Sequence, residues 1–281
     1  MAIVMPGTLD EVYRALADEP EAHLLAGGTD LMVEVNYAGR RPPAVVGLRK
    51  VDELRSWRRE GDDYVIGAGL TWTDLMSGEL AERFPALAIA ARTVGSPQIR
   101  NGGTIGGNVG TASPAGDGLP PLYALDATVL IGSAEGTREE PIADFVTGVK
   151  RTTIRPGELI TGLRVPAVDG PQEYCKIGTR NAMVISAAGV AVVVDRLSRT
   201  VRCALGAVAP TVVRATEAEA VATRAIEWDA PTPTIADPTV HERFGELAAE
   251  AARPIDDHRS TARYRRHAIS VMARRALLRC V

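Results

Sequence analysis

The chain has 281 residues and a net charge of −3, with 46% hydrophobic and 24% charged residues, so it is long enough for one large domain or two modest ones, each with its own core. The slight negative charge gives no reason to expect nucleic acid or an anionic membrane surface as a partner. Aromatic residues make up only 4%, and no apolar run reaches the ~18 residues needed to span a bilayer.

The N-terminal Thr8-Leu9-Asp10-Glu11 has the form of a capping box, a hydroxyl at the cap and a carboxylate three residues on. With Val12 and Leu16 on one face, it predicts a helix from about Leu9 to Ala17. His23 to Ala26 reads as a short apolar strand that runs into Gly27-Gly28-Thr29-Asp30, after which Leu31-Met32-Val33 restarts a helical pattern. Pro42-Pro43 breaks the chain. Ala44 to Leu48 is a predicted strand and Val51 to Leu54 a short helical turn. Tyr64 to Gly69 is a second predicted strand, leading to Thr71 as a cap for Thr73 to Glu79. Leu80 to Arg92 is helical in pattern, interrupted by Pro85. Thr93 to Pro121 carries too much glycine and proline for a helix or a plain strand. Apolar character resumes from Leu122 to Leu130.

Ile142 to Val149 and Leu159 to Val165 flank the turn signal Arg155-Pro156-Gly157-Glu158. Turn formers between Pro166 and Pro171 place a domain boundary there, giving domains of about 1–168 and 169–281. Beyond it, Ala187 to Asp195 and Val201 to Ala209 are β-branched runs around a five-residue turn, a hairpin pattern. Ala215 to Arg224, Val240 to Ala252 and Ser260 to Leu278 read as helices. In the last, Tyr264, Ala268, Val271 and Met272 share a side, and its arginines, Arg263, Arg265, Arg266, Arg274 and Arg275, are expected on a solvated or subunit-facing side. The mixture is α+β, with no repeat at a fixed period.

Cys175, Cys203 and Cys280 lie too far apart for a zinc or iron–sulfur ligand set. They fit idle or buried thiols in a reducing compartment, and the N-terminus MAIVMPGTLDE lacks the pattern of a signal peptide, so a cytoplasmic location is expected. His23, His241, His258 and His267 have no metal-ligand spacing either. No metal site and no catalytic side chain is expected.

Two glycine segments carry the functional signal. In Ala26-Gly27-Gly28-Thr29-Asp30-Leu31 a turn between strand and helix can aim several backbone N–H groups at one phosphate, because no Cβ keeps the ligand away. It is neither a P-loop nor the dinucleotide fingerprint, and a plain tight turn is an equal reading. The run from Gly95 to Gly118 holds eight glycines with Thr, Ser and Asn among them. It is not low in complexity, and a loop this long inside a compact domain is usually functional. Its polar side chains suit the phosphates and hydroxyls of a ligand.

AGGTDL followed by GSPQIRNGGTIGGN and ASPAGD resembles the flavin subunits of molybdenum hydroxylases, a group that includes the medium subunits of carbon monoxide dehydrogenase and of bacterial xanthine dehydrogenase. The likeness continues through Gly157-Glu158-Leu159-Ile160, Tyr174 to Arg180, Gly206 to Thr211 and Pro254 to Arg259, in order along nearly the whole chain. The resemblance implies an FAD-binding module of the vanillyl-alcohol-oxidase (PCMH) type. Its two subdomains would be about 1–50 and 51–168, followed by a small α/β C-terminal domain of the CO dehydrogenase flavoprotein type. It implies that Ala26, Gly27, Gly28, Thr29, Asp30 and Leu31, with Thr104, Ile105, Gly106, Gly107, Asn108 and Thr111, hold FAD. It further implies that Asp117 meets the ribityl chain, Ile160 the flavin or adenine region, and Lys176 the flavin ring.

The resemblance also implies an electron-transfer subunit. Electrons would pass from the [2Fe–2S] clusters of a small subunit, reduced by a large molybdopterin-binding subunit, to FAD here and on to an acceptor such as NAD or dioxygen. The alternatives are a stand-alone FAD-dependent oxidase or monooxygenase and a non-enzymatic binding module. One departure stands out. Members of the family sometimes place an aromatic beside the flavin after the lysine, where this chain has Asn181-Ala182-Met183-Val184-Ile185.

Overall fold

The computed structural model describes residues 2–39 and 41–281. The first unit is a small parallel sheet in which Ala44–Gly47 lies between Ala2–Val4 and His23–Leu25. Parallel neighbours need a crossover, and two helices supply them, Leu9–Asp18 and Leu31–Tyr37. The first starts as its sequence predicts: the Thr8 hydroxyl accepts from the Glu11 N–H at 3.2 Å, and Val12 and Leu16, one turn apart, are its buried residues. The Glu11 carboxylate reaches one residue further back, accepting from the Gly7 N–H at 2.7 Å.

The second unit is a five-stranded antiparallel sheet in the order Trp57–Glu60, Asp63–Gly67, Leu159–Pro166, Thr128–Ser133, Gly136–Pro141. Its register slips by one residue between Ile160 and Gly162. Such a bulge bends the strand locally; Thr161 is the extra residue, next to Ile160. Pro85 divides the predicted helix Leu80 to Arg92 into Gly78–Arg83 and Pro85–Thr93, with proline in the first turn of the second.

The expectation of no helix between Thr93 and Pro121 is overturned. Three short helices occupy the segment: Pro97–Gly102, Ile105–Thr111 and Leu119–Ala124. Ser96 and Thr104 cap the first two by accepting from the Ile99 and Gly107 N–H groups, and proline opens the first and third. Helices of one to two turns have little stability of their own. Tertiary bonds hold the segment: Trp72 N–H donates to Gly103 O, Ile105 N–H to Leu70 O and Gly106 N–H to Ala68 O, at 2.9–3.1 Å.

The third unit is an antiparallel sheet, Gln172–Ile177, Ala188–Asp195, Thr200–Gly206 and Val213–Arg214. Helices Thr216–Ala225, Thr239–Ala251 and Ala262–Cys280 cover one face. The Ala188–Asp195 strand is buried along its whole length because both faces are covered. Val190, Val192 and Val194 join the core under the helices, while Ala191 and Val193 join the core of the preceding units. Each buried valine contributes roughly 1.5–3 kcal/mol of transfer free energy, so this strand cements the third unit to the rest. Arg265 departs from expectation: it is 2% exposed on the inner face of the last helix, whereas Tyr264 is 47% exposed.

Candidate functional site

The two glycine segments meet. A Cβ on Gly27 would lie 1.8 Å from the carbonyl oxygen of Gly102, and one on Gly103 would lie 3.3 Å from Thr29 Oγ1. Backbone against backbone at this range admits no side chain, which is why glycine stands here. Gly28 completes the turn with φ of +72°. On the far side of the second segment, a Cβ on Gly106 would lie 2.5 Å from the Ala68 Cβ, and one on Gly118 would lie 2.3 Å from the Trp72 ring. Trp72 is thus wedged between Gly103 and Gly118.

These contacts shape a cleft of about 840 Å³. Ala26, Gly27, Gly28, Thr29, Asp30 and Leu31 line one wall; Thr104, Gly106, Gly107, Asn108 and Thr111 line another; Asp117 and Ile160 close it. Two of the residues singled out from sequence stand elsewhere. Ile105 is fully buried in the core behind the wall. Lys176 stands behind Asp117, outside the cleft lining.

Sequence reasoning passed over Ala68, Gly69, Trp72, Arg49, Arg55 and Lys150, which also form the cleft walls. Strand periodicity of the Tyr64–Gly69 run marked the element but not which end faces a cavity. Lys150 has φ of +53°, and its Nζ bridges Asp30 Oδ2 at 3.3 Å and Glu34 Oε1 at 3.0 Å. Lys150 is thus neutralised by two carboxylates of the same lining, and Arg49 and Arg55 are the two other cationic side chains there.

Asp117 is the most heavily bonded side chain of the site. Its Oδ2 accepts from Lys176 Nζ at 2.6 Å, and its Oδ1 accepts from Ser186 Oγ at 2.6 Å and Tyr174 Oη at 3.1 Å. All three donors belong to the third unit. Lys176 Nζ also donates to Thr93 O at 3.0 Å. Burial, reinforced by the Asp117 charge, pushes the Tyr174 hydroxyl well above its ordinary pKa, so Tyr174 stays protonated and remains a donor. The segment after the lysine borders the cleft through Met183, Val184 and Ile185. It folds tightly on itself: Val184 fills the space where a Gly178 side chain would be, and the Arg180 guanidinium donates to the Met183 carbonyl at 3.0 Å. Met183, Val184 and Ile185 thus give this rim of the cleft no aromatic side chain.

The arrangement fits a ligand with phosphates and hydroxyls. The walls are backbone where glycine stands, and Asn108, which lines the cleft, has its Oδ1 buried against Gly116 and Gly118 with no hydrogen-bond partner among the described residues. A buried acceptor without a partner costs about 1–3 kcal/mol, and a ligand hydroxyl that reached it would remove that cost. Among the described residues, no group of three or more His, Cys, Asp or Glu side chains could hold a metal ion, and no helix is long and apolar enough to cross a membrane.

Comparison with known proteins gives the ligand its name. Residues 1–168 match the family described as the FAD binding domain in molybdopterin dehydrogenase, and residues 173–280 match the CO dehydrogenase flavoprotein C-terminal domain. The chain is 38% identical over 201 residues to the nicotinate dehydrogenase FAD-subunit of Eubacterium barkeri, covering 68% of each chain. It is 31% identical over 285 residues to the putative xanthine dehydrogenase FAD-binding subunit of Escherichia coli (strain K12), covering 98% of this chain and 94% of that one. The fold superposes on a chain of the carbon monoxide dehydrogenase of Hydrogenophaga pseudoflava with a TM-score of 0.88 at 30% identity, over 100% of this chain and 98% of that one. The α+β architecture read from the mixture of elements, and the FAD cofactor and oxidoreductase class implied by the resemblance, therefore stand, and the chain belongs to the family of FAD-binding medium subunits of molybdenum hydroxylases.

Proposed function

We propose that this chain is the electron-transfer subunit of a molybdenum hydroxylase. It would work with a large molybdopterin-binding subunit and a small [2Fe–2S] subunit, and pass electrons to an acceptor such as NAD or dioxygen. The observation that carries the reading is extent. The likeness to the xanthine dehydrogenase FAD-binding subunit and to the carbon monoxide dehydrogenase chain runs end to end on both sides. Relatives named medium chains of carbon monoxide dehydrogenase, from Hydrogenophaga pseudoflava and Afipia carboxidovorans, support the same division of labour.

FAD, when bound, supplies the redox chemistry, accepting and releasing electrons where the protein sets orientation and electrostatics. The chain's own residues do the holding. In this reading Ala26 to Leu31 and Thr104 to Asn108 take the pyrophosphate, with Gly27, Gly106 and Gly107 leaving room for it. Thr111, Asp117 and Ile160 take the sugar and ring portions. Lys176 acts from behind Asp117, as a positive charge close to the ring end of the site. Residues 1–168 form the FAD-binding domain and 169–281 the C-terminal domain.

The direct test is purification from the native source, with chain and cofactor content measured. Three different chains with molybdenum, iron and about one FAD per copy of this chain is the expected result. A single chain that turns over a small molecule without partners would overturn the reading in favour of a stand-alone flavoenzyme.

A further inference from the structure

The loop from Ala112 to Asp117 enters the cleft with Ser113, Ala115, Gly116 and Asp117 on its wall. Asp117 ties the loop's end to the third unit, as described above. A second tie holds its middle. The Pro114 carbonyl accepts from the Ala207 N–H at 2.8 Å. Ala207 is a non-glycine residue at φ of +61°, a conformation that costs roughly 1–3 kcal/mol and persists only where the surroundings over-determine it.

What holds Ala207 there is Arg265. Its Nη1 donates to the Ala207 carbonyl at 2.7 Å, and its Nη2 pairs with Asp257 Oδ1 at 2.5 Å. Asp257 is fixed in turn by the backbone N–H groups of Arg259 and Ser260, at 2.8 and 3.1 Å, and by the Arg259 guanidinium at 2.8 Å. The relay therefore runs from Asp257 through Arg265 and Ala207 to Pro114, three residues before Asp117. Each link is buried or half-buried. A guanidinium removed from water is costly to place and costlier to leave unpaired. Among the described residues the Arg265 Nε has no partner, so the side chain is not optimised for its own hydrogen bonding. Its two end nitrogens instead join two loops of the C-terminal domain, at Asp257 and at Ala207, and Ala207 in turn bonds Pro114 on the cleft loop.

We propose that Arg265 is a positioning residue for FAD, holding the cleft loop Pro114–Asp117 through Ala207 without touching the cofactor. The proposal rests on the reading that this loop holds FAD. It makes the C-terminal helix, far from the cleft in sequence, a condition of flavin binding.

The test uses Arg265→Met and Arg265→Lys in the protein as purified with whatever chains accompany it. Hydrogen exchange reads the loop, and FAD release on dilution reads the site. Arg265→Lys keeps the charge but reaches only one of the two partners, so it is expected to fold with a smaller loss of thermal midpoint than Arg265→Met. Both variants are expected to exchange faster at Ala115 to Asp117 and to bind FAD about tenfold more weakly. Arg274→Met, an exposed position on the same helix, is expected to change neither. Exchange at the loop unchanged in both Arg265 variants would overturn the relay itself. Faster exchange with unaltered FAD affinity would overturn the proposal at its footing, because the loop would then not be what holds FAD.

Discussion

Lys176 and Asp117 face each other at 2.6 Å across the seam between the C-terminal sheet and the glycine-rich loop, with side chains 7% and 9% exposed. Removing one partner of a buried pair costs about 3–5 kcal/mol, because the other charge stays buried alone. Tyr174 and Ser186 still bond Asp117, so the lower end of that range applies. Lys176→Met is expected to lower the thermal midpoint by on the order of 10 °C and to loosen FAD. If the lysine charge also reaches the cofactor, the flavin midpoint potential falls as well. Redox titration of the variant reads this directly: an unchanged potential with unchanged FAD affinity would leave Lys176 as an interdomain tie and nothing more.

Gly27→Ala should strike the site with little effect elsewhere. The new Cβ would sit 1.8 Å from Gly102 O and 2.9 Å from Gly103 Cα, both backbone, so neither can swing away. Overpacking costs about 1–3 kcal/mol, and each 1.4 kcal/mol that falls on binding is about tenfold in affinity. The variant is expected to purify with less than a tenth of the parent's flavin. Gly61→Ala is the control: its φ is +62° with nothing within 4 Å of the added carbon, so it should lose about 1 kcal/mol of stability and no flavin. Full flavin in Gly27→Ala would show that the two glycine segments do not need this approach.

Much of this architecture was legible in the sequence, and what was not has physical causes. Thr8 with Glu11, the β-branched run ending at Asp195 and the turn before Thr200 are local signals, and the elements follow them. The helices between Pro97 and Ala124 are not local. Glycine disfavours the first two, Pro97–Gly102 and Ile105–Thr111, by about 1 kcal/mol per residue, and they are held because Leu70 and Gly103 pair their backbones with Ile105 and Trp72. The strand Trp57–Glu60 was missed because a four-residue, wholly exposed edge strand has no apolar alternation to read. Arg265 looks solvated because arginine usually is; the Asp257 carboxylate, eight residues earlier in a loop, and the Ala207 carbonyl, distant in sequence, make its burial possible. In the site, motif residues were visible as motifs. Trp72 and Ala68 were not, since what marks them is proximity to glycines distant in sequence.

Trp72 offers an optical probe of the cleft. It is 3% exposed and in the cleft wall, whereas Trp57 lies on the exposed edge strand and Trp228 bonds Thr223 O in the C-terminal domain. FAD bound in the cleft should quench Trp72 most strongly of the three. Trp72→Phe is expected to keep the fold at a cost below that of Trp72→Ala, about 3–5 kcal/mol, and to remove most of the FAD-dependent fall in tryptophan emission. A quench of undiminished size in Trp72→Phe would place FAD away from this wall.

Acid stability tests the Asp257 cluster independently of FAD. Burial alone would raise the pKa of the Asp257 carboxyl, but the Arg259 N–H and guanidinium, Arg265 and the Ser260 N–H together hold it well below the ordinary range. A folded-state pKa depressed in this way contributes stability above the unfolded value, about 3.9 for aspartate, and that contribution is lost as pH falls through the folded value. Asp257→Asn lacks the titrating group. Its thermal midpoint should lie below the parent's by a constant margin at neutral pH, and the margin should narrow as pH falls below about 4. Glu140 and Glu158 are also held low, burial opposing the Arg138 and Thr153 hydrogen bonds on the first, and Arg138 leading on the second. Both proteins therefore lose stability in acid, and only the difference between them isolates Asp257. A margin that stays the same from neutral pH to pH 3 would mean that the Asp257 charge does not hold Arg265 in place.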